Sequence, residues 1–95
     1  MDNRYYIVRG DRSGVFAGNI VSRDGREVTM SNVRRLWYWE GACSISQIAL
    51  EGVKAPDECK FTVALDELTI LDAIEIIPCT KEAEEIIRGV AEWKK

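Results

Sequence analysis

Residues 15–39, VFAGNIVSRDGREVTMSNVRRLWYW, decide the fold. Val15–Ser22 alternates as a strand does, with Phe16, Gly18 and Ile20 on one face and Val15, Ala17 and Val21 on the other. Asp24-Gly25 then gives a strong two-residue hairpin signal, because a type I′ turn needs positive φ at both central positions. Glu27–Met30 returns with Val28 and Met30 facing together. Ser31-Asn32 predicts another turn, and Val33–Trp39 the next strand. A meander of this kind builds an antiparallel sheet.

Working outward, Tyr5–Arg9 is a β-branched and aromatic run that reads as a first strand, and Gly10–Gly14 as the turn after it. Beyond Trp39 the period changes. Ser44 and Gln47 have capping-box spacing, Ile45, Ile48, Ala49 and Val53 form a short helical stripe, and Gly52 is its stop. Residues 54–60 predict a loop. Phe61–Leu65 and Leu68–Ile77 predict strands, the second central in the sheet, interrupted by a turn or bulge near Asp72-Ala73 and ended by Pro78. Thr80 caps a last helix, in which Ala83, Ile86, Ile87 and Val90 repeat at i, i+3, i+4 and i+7. The expected fold is α+β, mainly β, in one domain spanning residues 1–95. It takes the form of a small, strongly bent antiparallel sheet or a partly open SH3- or Sm-like barrel, with one inserted helix and a C-terminal helix.

Composition narrows the function classes. With 46% apolar residues in 95, the chain can build one small core, and association with further copies is a common way for so small a domain to gain buried surface. No run approaches the roughly 20 apolar residues of a membrane helix, and the N-terminus lacks the pattern of a secretory leader, so no membrane role is expected. Cys43, Cys59 and Cys79 are odd in number and widely spaced, as free reduced thiols are.

The chain has no histidine, which removes Ser/His/Asp and Cys/His catalysis and most zinc sites. Gly10–Gly14 has no following Lys-Ser/Thr and is no P-loop; it reads as a plain turn, or as a phosphate contact through its backbone amides and Arg12. The acidic pairs Asp57/Glu58, Asp66/Glu67 and Glu84/Glu85 read as solvated surface. No enzyme activity, metal or cofactor is expected.

Net charge is −3 but unevenly placed. Residues 1–39 hold seven arginines against four acids, a net of +3; residues 40–95 hold six basic groups against twelve acids, a net of −6. That balance disfavours generic nucleic-acid binding and suits an arginine-lined site for a compact anion. Arg34–Trp39 is the most unusual segment. As a strand it places Val33, Arg35, Trp37 and Trp39 on one face and Arg34, Leu36 and Tyr38 on the other. Guanidinium beside indole can hold a phosphate while the ring stacks on a base. The same residues also suit a small core or an interface between copies. The candidate ligand-binding residues are therefore Arg34, Arg35, Trp37, Tyr38 and Trp39, with Arg9 and Arg12 from the neighbouring turn.

The segments VFAG, SRDGREVTMSNVRRLWYWEGACSISQIALEGVKAPDECKF and IEII resemble a family of small proteins encoded by bacteriophages and prophages, over nearly the whole chain. The most specific part is the aromatic segment followed at once by EGACSISQ and a helix. The resemblance implies a protein made in the cytoplasm of a bacterial host. By analogy with small phage proteins that lack catalytic groups, it implies a non-enzymatic binder: an oligomeric immune-evasion sponge that sequesters a cyclic nucleotide signal of anti-phage defence. The alternatives are a module that inhibits a host protein, or an Sm-like binder of single-stranded nucleic acid.

Overall fold

The computed structural model describes residues 3–94. The elements run β1 (Tyr5–Gly10), β2 (Val15–Asp24), β3 (Glu27–Tyr38), α1 (Ile45–Glu51), a single 3-10 turn at Pro56–Glu58, β4 (Lys60–Phe61), β5 (Leu68–Ile70), β6 (Ala73–Pro78) and α2 (Lys81–Gly89). The six strands form one antiparallel sheet in the order β4-β3-β2-β1-β6, with β5 also paired to β3. The domain is α+β and mainly β, as expected; the antiparallel sheet is open and uncurled, neither strongly bent nor closed toward a barrel. No helix among the described residues is long and apolar enough to cross a membrane.

A two-residue hairpin forms at Asp24-Gly25, but one residue further on than expected: Asp24 pairs with Glu27, the loop is Gly25-Arg26, and of the two only Gly25 has positive φ (61°), so the turn is not type I′. The predicted turn at Ser31-Asn32 does not: β3 runs through it as one 12-residue strand. Asn32 takes φ 48°, and the β2–β3 register shifts there, two residues of β3 lying opposite Gly18. This is a β-bulge, whose extra residue leaves the ladder and reverses the side-chain alternation beyond it. Val28 and Met30 before the bulge and Val33 after it therefore all join one core cluster. Gly18 is required at this point: a Cβ there would lie 2.8 Å from the Ser31 carbonyl oxygen and 2.9 Å from Val33 Cα. A second register shift leaves Val21 as the extra residue on β2. Val21 is consequently 50% exposed and does not share the buried face of Ala17.

The sheet has a core on each face. Tyr5, Ile7, Ala17 and Leu36 pack under the helices against Ile48, Ala49, Ala83 and Ile87. Val8, Phe16, Ile20, Val28, Met30 and Val33 form the other cluster, with Ile70 and Ala73 from the β5–β6 corner. That corner, Leu71–Asp72, is the interruption expected there, but neither half is a central strand: β5 pairs with β3 and β6 with β1, at opposite edges. The β-branched richness of β6 has another cause, because Ile77 packs against one cluster and Ile76 against the other. The predicted strand Phe61–Leu65 shrinks to Lys60–Phe61 plus an isolated bridge between Leu65 and Val33.

Both helix starts are capped as expected. The Ser44 and Thr80 hydroxyls accept from the amides of Gln47 and Ala83. Gln47 Oε1 reaches back one residue further than in the usual box and accepts from the Cys43 amide at 2.9 Å. Gly52, at φ 75°, ends α1, and its amide bonds the Ile48 carbonyl. After α2 the chain returns along β4: Glu92 bridges Phe61 in parallel, and the Trp93 amide donates to the Phe61 carbonyl at 2.8 Å.

Candidate functional site

Alternation along β3 sends the neighbouring arginines to opposite faces. Arg34 turns under the helices and is only 5% exposed. Its Nε donates to the Thr62 carbonyl at 2.9 Å and its Nη2 to the Phe61 carbonyl at 3.2 Å. Its Nη1 donates to the carbonyls of Ile87 (3.0 Å) and Val90 (2.8 Å), at the end of α2. Val90 is the residue just past α2, and the Ile87 carbonyl also accepts from the Val90 amide at 3.3 Å. Burial lowers the Arg34 pKa from its ordinary value, with the charge of nearby Glu92 acting in the opposite sense. Arg34 thus clamps α2 to β4.

Arg35 faces the other way. It is the direct β2–β3 partner of Phe16, and its guanidinium lies over that ring, 4.7 Å from the centroid. A cross-strand cation–π contact holds the planar group by one face and leaves its N–H edge for a partner. Among the described residues Arg35 is in no ion pair and its guanidinium in no hydrogen bond. Two hollows meet at its side chain. The first, about 500 Å³, is lined by Arg12, Phe16 and Leu68–Asp72. The second, about 490 Å³, is lined by Gly14, Val15, Leu36, Trp37 and Trp39. Arg35 and Ser13 belong to both.

The remaining candidates divide. Arg12 lines the first hollow, and Trp37 and Trp39 line the second. Trp37 is 58% exposed and stacks on Trp93 (centroids 5.2 Å apart, planes 19° apart). The Lys60 ammonium sits 5.4 Å from Trp37, 5.5 Å from Trp93 and 5.8 Å from Tyr38. Tyr38 lines neither hollow; a hydrogen bond with Glu40 raises its pKa above the usual value. Arg9 is ion-paired to Glu75 at 2.9 Å and lines neither hollow. Structure therefore gathers Arg12, Arg35, Trp37 and Trp39 and sets Arg34, Tyr38 and Arg9 apart.

The turn before β2 holds an anion, though not a foreign one. The amides of Arg12 and Ser13 donate to Asp72 Oδ2 at 2.8 and 3.1 Å, and the Ser13 hydroxyl donates to Asp72 Oδ1 at 2.6 Å. Successive amides of this kind form an anion-binding nest, here filled by a carboxylate of the same chain. The Ser13 hydroxyl first, and then the Arg12 amide, hold the Asp72 carboxyl below its ordinary pKa. Those amides are therefore unavailable for the phosphate contact considered for this turn; the side chains of Arg12 and Arg35 remain for it.

Comparison with known families gives one match: the model described as Domain of unknown function (DUF6948) covers residues 3–87. The chain belongs to this family. No curated protein and no solved structure matches it. Every residue of the two hollows lies within the matched range, whereas Val90 and Trp93 lie beyond it. Phe16, Ser13, Asp72 and Trp93 are the site residues that sequence reasoning missed. Phe16 meets Arg35 only after the two register shifts between β2 and β3, which the sequence pattern does not signal. Nothing in the sequence spacing links Ser13 with Asp72, 59 residues away.

Proposed function

We propose that this domain is a non-enzymatic binding protein that captures a small anionic ligand bearing a flat ring, a cyclic nucleotide in chemical terms, in the groove centred on Arg35. The observation that supports this most is the Arg35 guanidinium, held over Phe16 where two hollows meet and without an ion pair among the described residues. Arg12 adds a second positive charge, and Trp37 and Trp39 offer ring surface. Each hollow is within the ~300–1,000 Å³ of small-molecule sites. In the phage setting that the resemblance implies, the ligand is a signal of host defence and the protein an oligomeric sponge for it in the host cytoplasm. The overall charge of −3 and the Asp72 carboxylate in the groove weigh against long nucleic acids, whose binding grows with each phosphate neutralised.

Thermal unfolding of the purified protein with cyclic mono-, di- and trinucleotides tests this. A ligand that binds only the native state raises the midpoint. Arg35→Ala should weaken that ligand by tenfold or more, about 1.4 kcal/mol. A panel that leaves the midpoint unmoved at millimolar ligand rules the reading out. Leu71, 71% exposed on the rim of the first hollow, favours a second reading, a host-protein partner seated on the same face. Capture of one host protein that is lost in Leu71→Asp, with no nucleotide response, would support it.

A further inference from the structure

We infer that the groove takes a ligand with two ring systems flanking a phosphate, a dinucleotide rather than a mononucleotide; the inference rests on the nucleotide reading above and narrows it. The hollows are nearly equal, about 500 and 490 Å³, and Arg35 and Ser13 line both. A mononucleotide with its phosphate at Arg35 would fill one and leave the other to water. The walls differ in a way that suits two rings. On one side are two indoles, Trp37, exposed and with Trp93 stacked on it, and Trp39, which also packs against the helix-side core; an exposed indole can stack on a base. On the other, Phe16, Leu68, Ile70 and Leu71 supply an apolar wall, with Arg12 at its edge. Among the described residues the cations of the hollows are Arg35, shared by both, and Arg12, beside the first; the Asp72 carboxylate of the first is held by Ser13 and the Arg12 amide. That arrangement places the phosphates centrally and the rings outward.

Joining two half-ligands raises affinity because the second ring binds as an intramolecular event. The test is calorimetric titration of the full chain with the four ribonucleoside 5′-monophosphates, the matching linear 5′-phosphorylated homodinucleotides and their cyclic forms. At least one dinucleotide should bind tenfold or more tightly than its mononucleotide. Leu71→Ser and Trp37→Ala, each checked for retained fold by circular dichroism, should each bring the dinucleotide down to mononucleotide affinity by disabling one hollow. Arg35→Ala should weaken mono- and dinucleotide alike. Equal affinity for mono- and dinucleotides would overturn the two-ring inference and leave the nucleotide reading standing. Absence of binding by every nucleotide would overturn both.

Discussion

Arg34→Ala should be among the most damaging substitutions of an arginine in this domain. The side chain makes four hydrogen bonds between 2.8 and 3.2 Å, two to the end of α2 and two to the β4 segment. Truncation removes a donor from all four carbonyls; those of Phe61 and Ile87 keep the amides of Trp93 and Val90, while those of Thr62 and Val90 lose the Arg34 donor, and a buried unsatisfied acceptor costs about 1–3 kcal/mol. Three of the four bonds are buried. Against that loss stands relief of the guanidinium's own desolvation, several kcal/mol for a buried ion. No charge is left behind, because the partners are neutral carbonyls, so the balance of lost hydrogen bonds over relieved desolvation is about 2–4 kcal/mol. A chain of this length has about 5–14 kcal/mol in all, so the melting temperature should fall by roughly 10–30 °C. Arg34→Lys should recover less than half of the loss, because one ammonium cannot span both pairs of carbonyls. Urea unfolding followed by tryptophan fluorescence measures both variants. Exchange of the Trp93 amide, which bonds Phe61, should quicken in step. A loss below about 1 kcal/mol for Arg34→Ala, at unchanged urea dependence, would refute the clamp.

Gly18→Ala should cost about 1–3 kcal/mol in the same assay, since its Cβ would press on the backbone of the Asn32 bulge; an unchanged midpoint would mean that the bulge yields freely. Cys43 is exposed whereas Cys59 and Cys79 are buried, so a thiol reagent should label one cysteine at once and the others only on unfolding. Burial raises the Cys79 thiol to about 12, which reinforces its inertness, and rapid modification of two or more cysteines in the native protein would contradict this. Burial likewise raises the Tyr5 phenol to about 12. The folded state then holds a proton that the unfolded chain gives up above about pH 10, so the Tyr5 contribution to stability is intact below pH 10 and declines between pH 10 and 12. Tyr5→Phe should flatten that part of a urea-midpoint profile, and a profile as steep as wild type would remove Tyr5 as the cause. At the acid end Asp72 behaves oppositely: its lowered pKa contributes stability above the ordinary carboxyl range that is lost as pH falls through the folded value, and Asp72→Asn should remove this component.

Local chemistry made much of this fold legible. The hairpin that Asp24-Gly25 signals, the Ser44 and Thr80 caps, the Gly52 stop and the α2 stripe each depend on residues close together in sequence, and each is present, the hairpin one residue further on. What escaped depends on distant partners. Ser31-Asn32 has turn composition, but the ladder to β2 carries the strand through it as a bulge. Leu68–Ile77 reads as one central strand because it is apolar on both faces, a pattern also produced by an edge strand with a core cluster on each side. For the candidate site, the aromatic-arginine segment supplies Arg35, Trp37 and Trp39 to the two hollows. Sequence could not divide its arginines, since that requires knowing which face the helices cover.

That division follows from the bulge. Val28 and Met30 must face the second cluster, and uninterrupted alternation from them would turn Arg34 to that cluster and Arg35 under the helices. The extra residue at Asn32 exchanges the two positions. The donor with four carbonyl partners is thereby buried against α2 and β4, and the other guanidinium comes to rest over Phe16. Gly18 permits the bulge by leaving room for it. One glycine and one left-handed asparagine thus determine which of two chemically identical side chains serves as an internal clamp and which faces the groove. Asp72 completes the separation. Its carboxylate occupies the backbone nest of the turn, so cation–anion recognition in the groove falls to the side chains of Arg12 and Arg35.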